Sequence, residues 1–166
     1  MEMLYIVSSI LQSLAVSLGV GASTIAIAQF LVSISDGNIE KGERRIMGVV
    51  YLWLRVAMVL IVLTSLAQSV VLYKFIGLQM LNPFSVGIWV ITLVLFLNAI
   101  GMTKHLIPST LGPGIQAGSW YSLGILLSLV PLGLTTFTYL QFGLVYAGFV
   151  LLAIALVNIM TSRLRG

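Results

Sequence analysis

The sequence predicts an all-α integral membrane protein in which five transmembrane helices form one bundle. Of its 166 residues, 60% are hydrophobic and only 7% are charged, with a mean hydropathy of +1.15, whereas soluble domains carry roughly 25% charged residues. The apolar residues also gather into five runs, each close to or above the ~20 residues that cross a hydrocarbon core. A water-soluble fold of this size is therefore excluded.

The five runs predict helices that together form a single domain over residues 1–166. The predicted helices cover about residues 4–33, 46–73, 84–103, 115–136 and 139–161. The first run is preceded by one charge, Glu2, whereas a signal peptide begins with basic residues, so we expect this helix to be retained. The second and third runs are bounded by charged or proline-containing segments, and the connections are too short to hold a soluble domain.

The fourth and fifth helices have the least defined boundary, because no charge separates them. Pro131 and Gly133 lie in this region, and proline removes a backbone donor and restricts the residue before it. Two interpretations fit the sequence. The fourth helix is kinked and reaches about residue 136 before a very short turn, or it ends near Val130.

Basic residues predict the orientation of the chain in the membrane. Six of the eight lie on one predicted side, namely Lys41, Arg44, Arg45, Lys104, Arg163 and Arg165. The opposite side has only Lys74. Because cytoplasmic segments are enriched in Lys and Arg, we expect the amino terminus outside and the carboxyl terminus in the cytoplasm, in a plasma or bacterial inner membrane. These residues border apolar segments, so the net charge of +4 indicates orientation, and no nucleic-acid partner is expected.

The first predicted loop, residues 35–45, contains two competing signals. Asp36-Gly37 is typical of a turn, and Asp36 or Asn38 is suited to cap the second helix. The same stretch resembles the second half of a calcium-binding EF-hand loop. Because the two preceding ligand positions would be Val32 and Ile34, half of the oxygen ligands are missing. We therefore expect a helix cap and no metal site.

Several function classes are excluded by the scarcity of reactive side chains. The chain has no Cys and a single His, His105, between two predicted helices, which rules out disulfides, thiolate metal sites and paired histidine ligation of haem within the chain. The spans contain neither His nor an acidic residue, whereas an intramembrane hydrolase needs a nucleophile with a base or a metal. A catalytic pairing of His105 with Asp36 or Glu43 at the cytoplasmic face stays open as the least favoured alternative. We expect no catalytic residue, no cofactor and no enzymatic activity.

Arg55 is the charged residue that enters a predicted span, nine residues from its start and so about 13 Å from the cytoplasmic end at ~1.5 Å per residue. A charge at that depth costs roughly 2.5–3.5 kcal/mol on insertion scales, which makes it a functional-site candidate. Two interpretations remain open: the side chain reaches back to the interface, or it binds a ligand. Its counter-charge is then Glu43, a lipid headgroup or a bound anion, since a guanidinium suits carboxylate or phosphate.

Five further side chains are expected near the depth of Arg55. They are Tyr51, one turn away; Gln29 and Asn98, near the inner ends of the first and third helices; and Trp120 and Tyr121, near the start of the fourth. Together with Arg55 they predict a polar ligand site in the cytoplasmic half of the bundle.

Small residues recur at every fourth position on two of the predicted helices. One row consists of Ser9, Ser13, Ser17 and Gly21, and the other of Gly114, Gly118 and Ser122. Such rows allow two helices to approach closely, so both predict packing within the chain or between copies.

No span carries the carboxylate that proton and cation carriers usually place in their path. The sequence therefore predicts a homo-oligomeric bundle in the lipid bilayer that binds or transports a small neutral or anionic solute or a lipid-like ligand. The alternative is a non-catalytic subunit or assembly factor of a larger membrane complex, docked through the rows of small residues.

Overall fold

The computed structural model describes residues 1–35 and 41–165 as a bundle of helices. The chain is 87% helical, and no strand occurs in the described residues. The described helices are α1 (Glu2–Ser35), α2 (Lys41–Ile76), α3 (Pro83–Thr103), α4 (Gly112–Leu129) and α5 (Tyr139–Arg165). The all-α prediction is confirmed, whereas the predicted cap by Asp36 or Asn38 lies outside the described residues.

Four of these helices, α1, α2, α3 and α5, are long and apolar enough to cross a membrane. A short 3-10 helix, Gly77–Met80, continues α2. This length and composition support an integral membrane protein, as the amino-acid composition predicts.

The remaining helix, α4, is not among these candidate spans and is shielded by the other helices of the bundle. It packs against α1, α3 and α5, and nine of its eighteen residues are buried. By contrast, only 6% of the candidate span in α5 is buried. Because neighbouring helices shield α4, it carries Gly, Ser and Gln where a lipid-facing helix carries large apolar residues.

The ends of α3 are set by local chemistry. Asn82 caps its amino end, since Asn82 Oδ1 accepts a hydrogen bond from the Ser85 backbone N–H at 2.9 Å, and Pro83 occupies the first turn. At the other end His105 has a positive φ of 56°, and the Leu106 N–H bonds to the Gly101 carbonyl at 2.8 Å. This pattern is a Schellman motif in which histidine takes the position that usually holds glycine.

The structure ends α4 at Leu129, the earlier of the two predicted alternatives. Pro131 lies two residues after Leu129, and Gly133 adopts a positive φ of 70° that turns the chain away from the helix. The next helix starts with a capping box. Thr138 Oγ1 accepts from the Gln141 N–H at 3.2 Å, and Gln141 Oε1 accepts from the Thr138 N–H at 2.9 Å.

The centre of the bundle is built around Trp120 of α4, which is fully buried. Its ring lies directly on Gly19 of α1, where a Cβ atom would overlap the indole. Ile61 of α2 and Ile91 of α3 are also fully buried in this core. The glycine therefore allows the largest side chain of the core to fill the space between α1 and α4.

The two rows of small residues behave differently. On α4, a Cβ at Gly114 would come within 2.6 Å of the Ile154 backbone of α5 and one at Gly118 within 3.1 Å of that of Val150, so this row packs closely, as predicted. On α1, Ser17 and Gly21 are exposed, and a Cβ at Gly21 would meet nothing within 4 Å. Of the α1 row, Ser9 therefore contacts α2, whereas Ser17 and Gly21 do not pack closely within the described chain, and packing between copies stays a prediction.

Candidate functional site

A cavity of about 260 Å³ lies between α2, α3 and α4 and contains Arg55; we call it the Arg55 cavity. Its lining residues are Tyr51, Leu54, Arg55, Ala99, Met102, Thr103 and Gln116. Arg55 and Tyr51, one turn apart on α2, therefore share one cavity, as their spacing predicts. Thr103 of α3 and Gln116 of α4 are polar lining residues that the sequence did not single out.

Asn98 lies directly behind this cavity and is 2% exposed. Its Nδ2 group donates to Gln116 Oε1 and to the Gly112 carbonyl, each at 3.0 Å. Asn98 thus holds Gln116 in place and joins α3 to the start of α4. Its own Oδ1 is buried and has no partner within the described part of the chain.

The Arg55 side chain is exposed and makes no hydrogen bond or ion pair with any described residue. One predicted counter-charge, Glu43, accepts a hydrogen bond from Ser33 Oγ at 3.5 Å. The Arg55 guanidinium thus keeps its donors available for a lipid headgroup or a bound anion.

Gln29, Trp120 and Tyr121 do not line the Arg55 cavity. Trp120 is buried against α1, and the Tyr121 hydroxyl is hydrogen-bonded to Thr24 Oγ1 at 2.7 Å. Gln29 is half-buried on α1 with an unpartnered Oε1. Tyr121 lies five residues after Gln116, which places the two on different faces of α4. The expected grouping of all six side chains is wrong, because similar depth does not give a shared face.

A second and larger cavity, of about 610 Å³, lies toward the other end of the bundle; we call it the Gln12 cavity. It is bounded by α1, α2, α3 and the connection between α4 and α5. Its hydrogen-bonding residues are Tyr5, Ser9, Gln12, Ser13, Ser65, Gln68, Ser69, Asn82, Ser85, Trp89, Thr135 and Thr136. None of the described residues that line it is charged.

Hydrogen bonds between helices organise the wall of the Gln12 cavity. Gln12 Nε2 of α1 donates to Ser65 Oγ of α2 at 3.1 Å. Gln68 Nε2 donates back to Ser9 Oγ at 3.4 Å. From α3, the indole nitrogen of Trp89 donates to Ser69 Oγ of α2 at 3.3 Å. These bonds hold three helices around one polar space.

The sequence contained a signal for the Gln12 cavity that was missed. On α1, Ser9, Gln12 and Ser13 follow the spacing of one helix face, and Ser65, Gln68 and Ser69 on α2 repeat the same spacing. Each polar residue alone is acceptable within a span. The polar face of α1 and the polar face of α2 indicate a site only when the two helices are expected to pack against each other through these faces.

An apolar layer separates the two cavities. Along α2, Arg55 and Ser65 are ten residues apart, and Trp89 and Ala99 of α3 have the same separation, so the layer is about 15 Å thick at ~1.5 Å per residue. The layer contains Met58, Ile61, Ile91, Leu95, Trp120 and Leu123, each at most 5% exposed. The cavities therefore lie at the two ends of the same three helices, with a packed core between them.

No protein family, curated protein or solved structure matches this chain. The cavities are therefore interpreted from their own geometry. The described residues include no group of three or more His, Cys, Asp or Glu side chains that could hold a metal ion.

Proposed function

We propose that the protein is a transporter or channel for a small neutral or anionic solute, with the Gln12 cavity and the Arg55 cavity as the two ends of its path. The observation that carries this proposal is the position of the cavities at opposite ends of α2, α3 and α4. The apolar layer between them is the closed gate. A path through a membrane protein needs a polar entrance on each side and a barrier that opens.

In this proposal all five helices cross the membrane and α4 is the central one. Its eighteen residues extend about 27 Å, close to the ~30 Å of a hydrocarbon core. Lining residues near both of its ends, Gln116 and Leu127, belong to the two cavities. The bias of basic residues then assigns the Arg55 cavity to the cytoplasm and the Gln12 cavity to the outside. A reporter fused after Gly166 that proved external would contradict this orientation.

The choice of solute follows from the charges of the lining. Arg55 is the ionisable cation among the described lining residues of the two cavities, and no described carboxylate lines either of them. A cation would meet no compensating charge on this path and would be repelled at one end. Neutral solutes and anions are therefore the favoured substrates.

Flux through proteoliposomes tests the proposal. Leu95→Ala removes a fully buried side chain from the apolar layer, and we expect faster entry of glycerol and nitrate because the barrier becomes thinner. Leu97→Ala on the same helix is the control, since Leu97 is 58% exposed and belongs to neither cavity. Liposomes with wild-type protein and Leu95→Ala that were both as impermeable as empty liposomes would contradict transport.

A second candidate function is a non-catalytic subunit of a larger membrane complex. One observation favours it: Ser17 and Gly21 on α1 are exposed, although a row of small residues suits close helix packing. Gentle solubilisation followed by mass measurement separates the two proposals. A subunit would be recovered with other chains in fixed ratio, whereas a transporter would be recovered alone or as a homo-oligomer.

A further inference from the structure

We infer that the Gln12 cavity binds a neutral polyhydroxyl group, either a free polyol or sugar or the headgroup of a glycolipid. The inference deepens the proposed function and rests on it for the choice of cavity. It depends on the hydrogen-bonding groups that the wall leaves unused, on the absence of charge in its described lining, and on the aromatic side chains beside them.

Gln12 is almost completely buried, with only 3% of its surface exposed. Its amide nitrogen is held by Ser65, but its carbonyl oxygen accepts no hydrogen bond from any described residue and keeps access to the cavity. A polar atom of a buried side chain that faces a cavity takes its hydrogen-bond partner from a molecule inside that cavity. The Gln12 carbonyl oxygen can therefore accept a hydrogen bond from a ligand inside the cavity.

The adjacent Ser65 hydroxyl supplies the complementary group. Ser65 is 4% exposed and accepts from Gln12, while its own hydrogen has no acceptor among the described residues. An unused acceptor and an unused donor thus lie side by side. A hydroxyl group donates and accepts through a single atom, so a ligand with neighbouring hydroxyls satisfies both.

The lining also disfavours stable binding of a charged ligand, although the proposed path still lets a small anion pass. The described residues around the cavity supply amides, hydroxyls and an indole N–H but no ionic side chain. Transfer of an unpaired ion from water to such a site is strongly unfavourable, whereas a neutral polar group needs only hydrogen bonds. The ligand is therefore neutral.

Aromatic side chains and size favour a polyol over a smaller neutral solute. Tyr5, Phe84 and Trp89 line the same cavity, and apolar ring faces suit the C–H groups of a sugar or sugar alcohol. The volume of about 610 Å³ falls within the ~300–1,000 Å³ typical of small-molecule sites. This combination of amides, hydroxyls and rings matches the alternating polar and apolar surface of a polyol.

Equilibrium binding of radiolabelled sorbitol to the full chain in phosphatidylcholine nanodiscs tests the inference. We expect saturable binding by the wild type and an affinity about tenfold or more lower in Gln12→Leu, since the loss of a buried hydrogen-bonding group costs about one decade or more. Gln29→Leu is the matched control on the same helix, outside both cavities, and should bind within about twofold of the wild type, as expected for a site without ligand contact. If Gln12→Leu does not fold, Ser65→Ala takes its place with a smaller expected loss.

Gluconate serves as the charged counterpart of sorbitol and should bind at least about tenfold more weakly, because its carboxylate would be buried without a partner. Nanodiscs containing a monoglucosyl lipid separate the two sources. Retention of that lipid without sorbitol binding identifies the headgroup as the ligand. Binding of neither probe, equal binding by Gln12→Leu and Gln29→Leu, or tight binding of gluconate would overturn the inference.

The binding assay and the flux assay can fail independently of each other. If sorbitol binds while proteoliposomes admit no probe, the transport proposal fails and the inference stands. If glycerol or nitrate crosses while neither sorbitol nor the glycolipid binds, the inference fails and the transport proposal stands.

Discussion

The Gln12 cavity and the Arg55 cavity use opposite chemistry. The Arg55 cavity is small and contains one exposed guanidinium that no described residue neutralises. The Gln12 cavity is more than twice as large and is lined by neutral groups that are partly bonded to one another across three helices. A single charged residue can be recognised in the sequence. A neutral hydrogen-bonding site forms only when polar residues of several helices come together.

This difference also affects how each cavity is held together. The Gln12 cavity is tied by direct bonds between its own lining side chains, such as that from Gln12 to Ser65. In the Arg55 cavity, the lining residue Gln116 is held by Asn98, which lies outside the lining. The Arg55 guanidinium makes no hydrogen bond or ion pair with a described residue. We therefore expect changes in the apolar layer to affect both cavities and changes at Arg55 to affect one.

The largest expected effect is on the core that separates the cavities. Gly19→Ala would place a Cβ inside the contact with the Trp120 ring, and we expect a loss of about 1–3 kcal/mol in the free energy of unfolding, as for other overpacked cores. Thermal unfolding in detergent measures it. Gly21→Ala is the matched control, because a Cβ there meets nothing within 4 Å. Equal melting temperatures for the two variants would show that Trp120 is not held tightly against α1.

An intermediate effect is expected at the charged cavity. Arg55→Ala should lower nitrate flux into proteoliposomes by about tenfold or more, since a hydrogen bond to a charged group contributes ~1.5–3 kcal/mol, while glycerol flux stays the same. Arg55→Lys keeps the charge and should keep part of the nitrate flux. Unchanged nitrate flux in Arg55→Ala would instead favour an arginine that only reaches to the interface.

The smallest effect is expected beside the Arg55 cavity but outside its lining. His105→Gly relieves the positive φ of 56° at the end of α3, a conformation that costs a residue with a Cβ about 1 kcal/mol. We expect a stabilisation of about 1 kcal/mol or less, because glycine also gains freedom in the unfolded chain, and unchanged nitrate flux. A loss of flux would show that His105 contributes to the cavity itself. The measurements are thermal unfolding and the same proteoliposome assay.

Much of the helical organisation follows from local sequence patterns. The start of α5 at Tyr139 is readable because Thr138 and Gln141 form a capping box, and the end of α4 is readable as one of two alternatives at Pro131. These features depend on interactions within a few residues. The pairing of Arg55 with Tyr51 succeeded for the same reason, since both lie on one face of one helix.

Predictions that joined different helices were less successful. Trp120 and Tyr121 were expected beside Arg55, but the rotation of α4 directs the first against Gly19 and the second toward Thr24. Depth follows from counting residues along a helix. The face that meets a given neighbour depends on the packing of all helices at once.

The sequence by itself determined that this chain is an apolar, all-helical membrane protein with one charge inside a predicted span, because hydropathy and charge are properties of each residue. Only the tertiary structure decided that α4 is the shielded helix and that Gln12, Ser65 and Trp89 surround one cavity. In a lipid environment the hydrophobic effect does not select which helix faces meet. That choice comes from close packing and from hydrogen bonds between residues far apart in the chain.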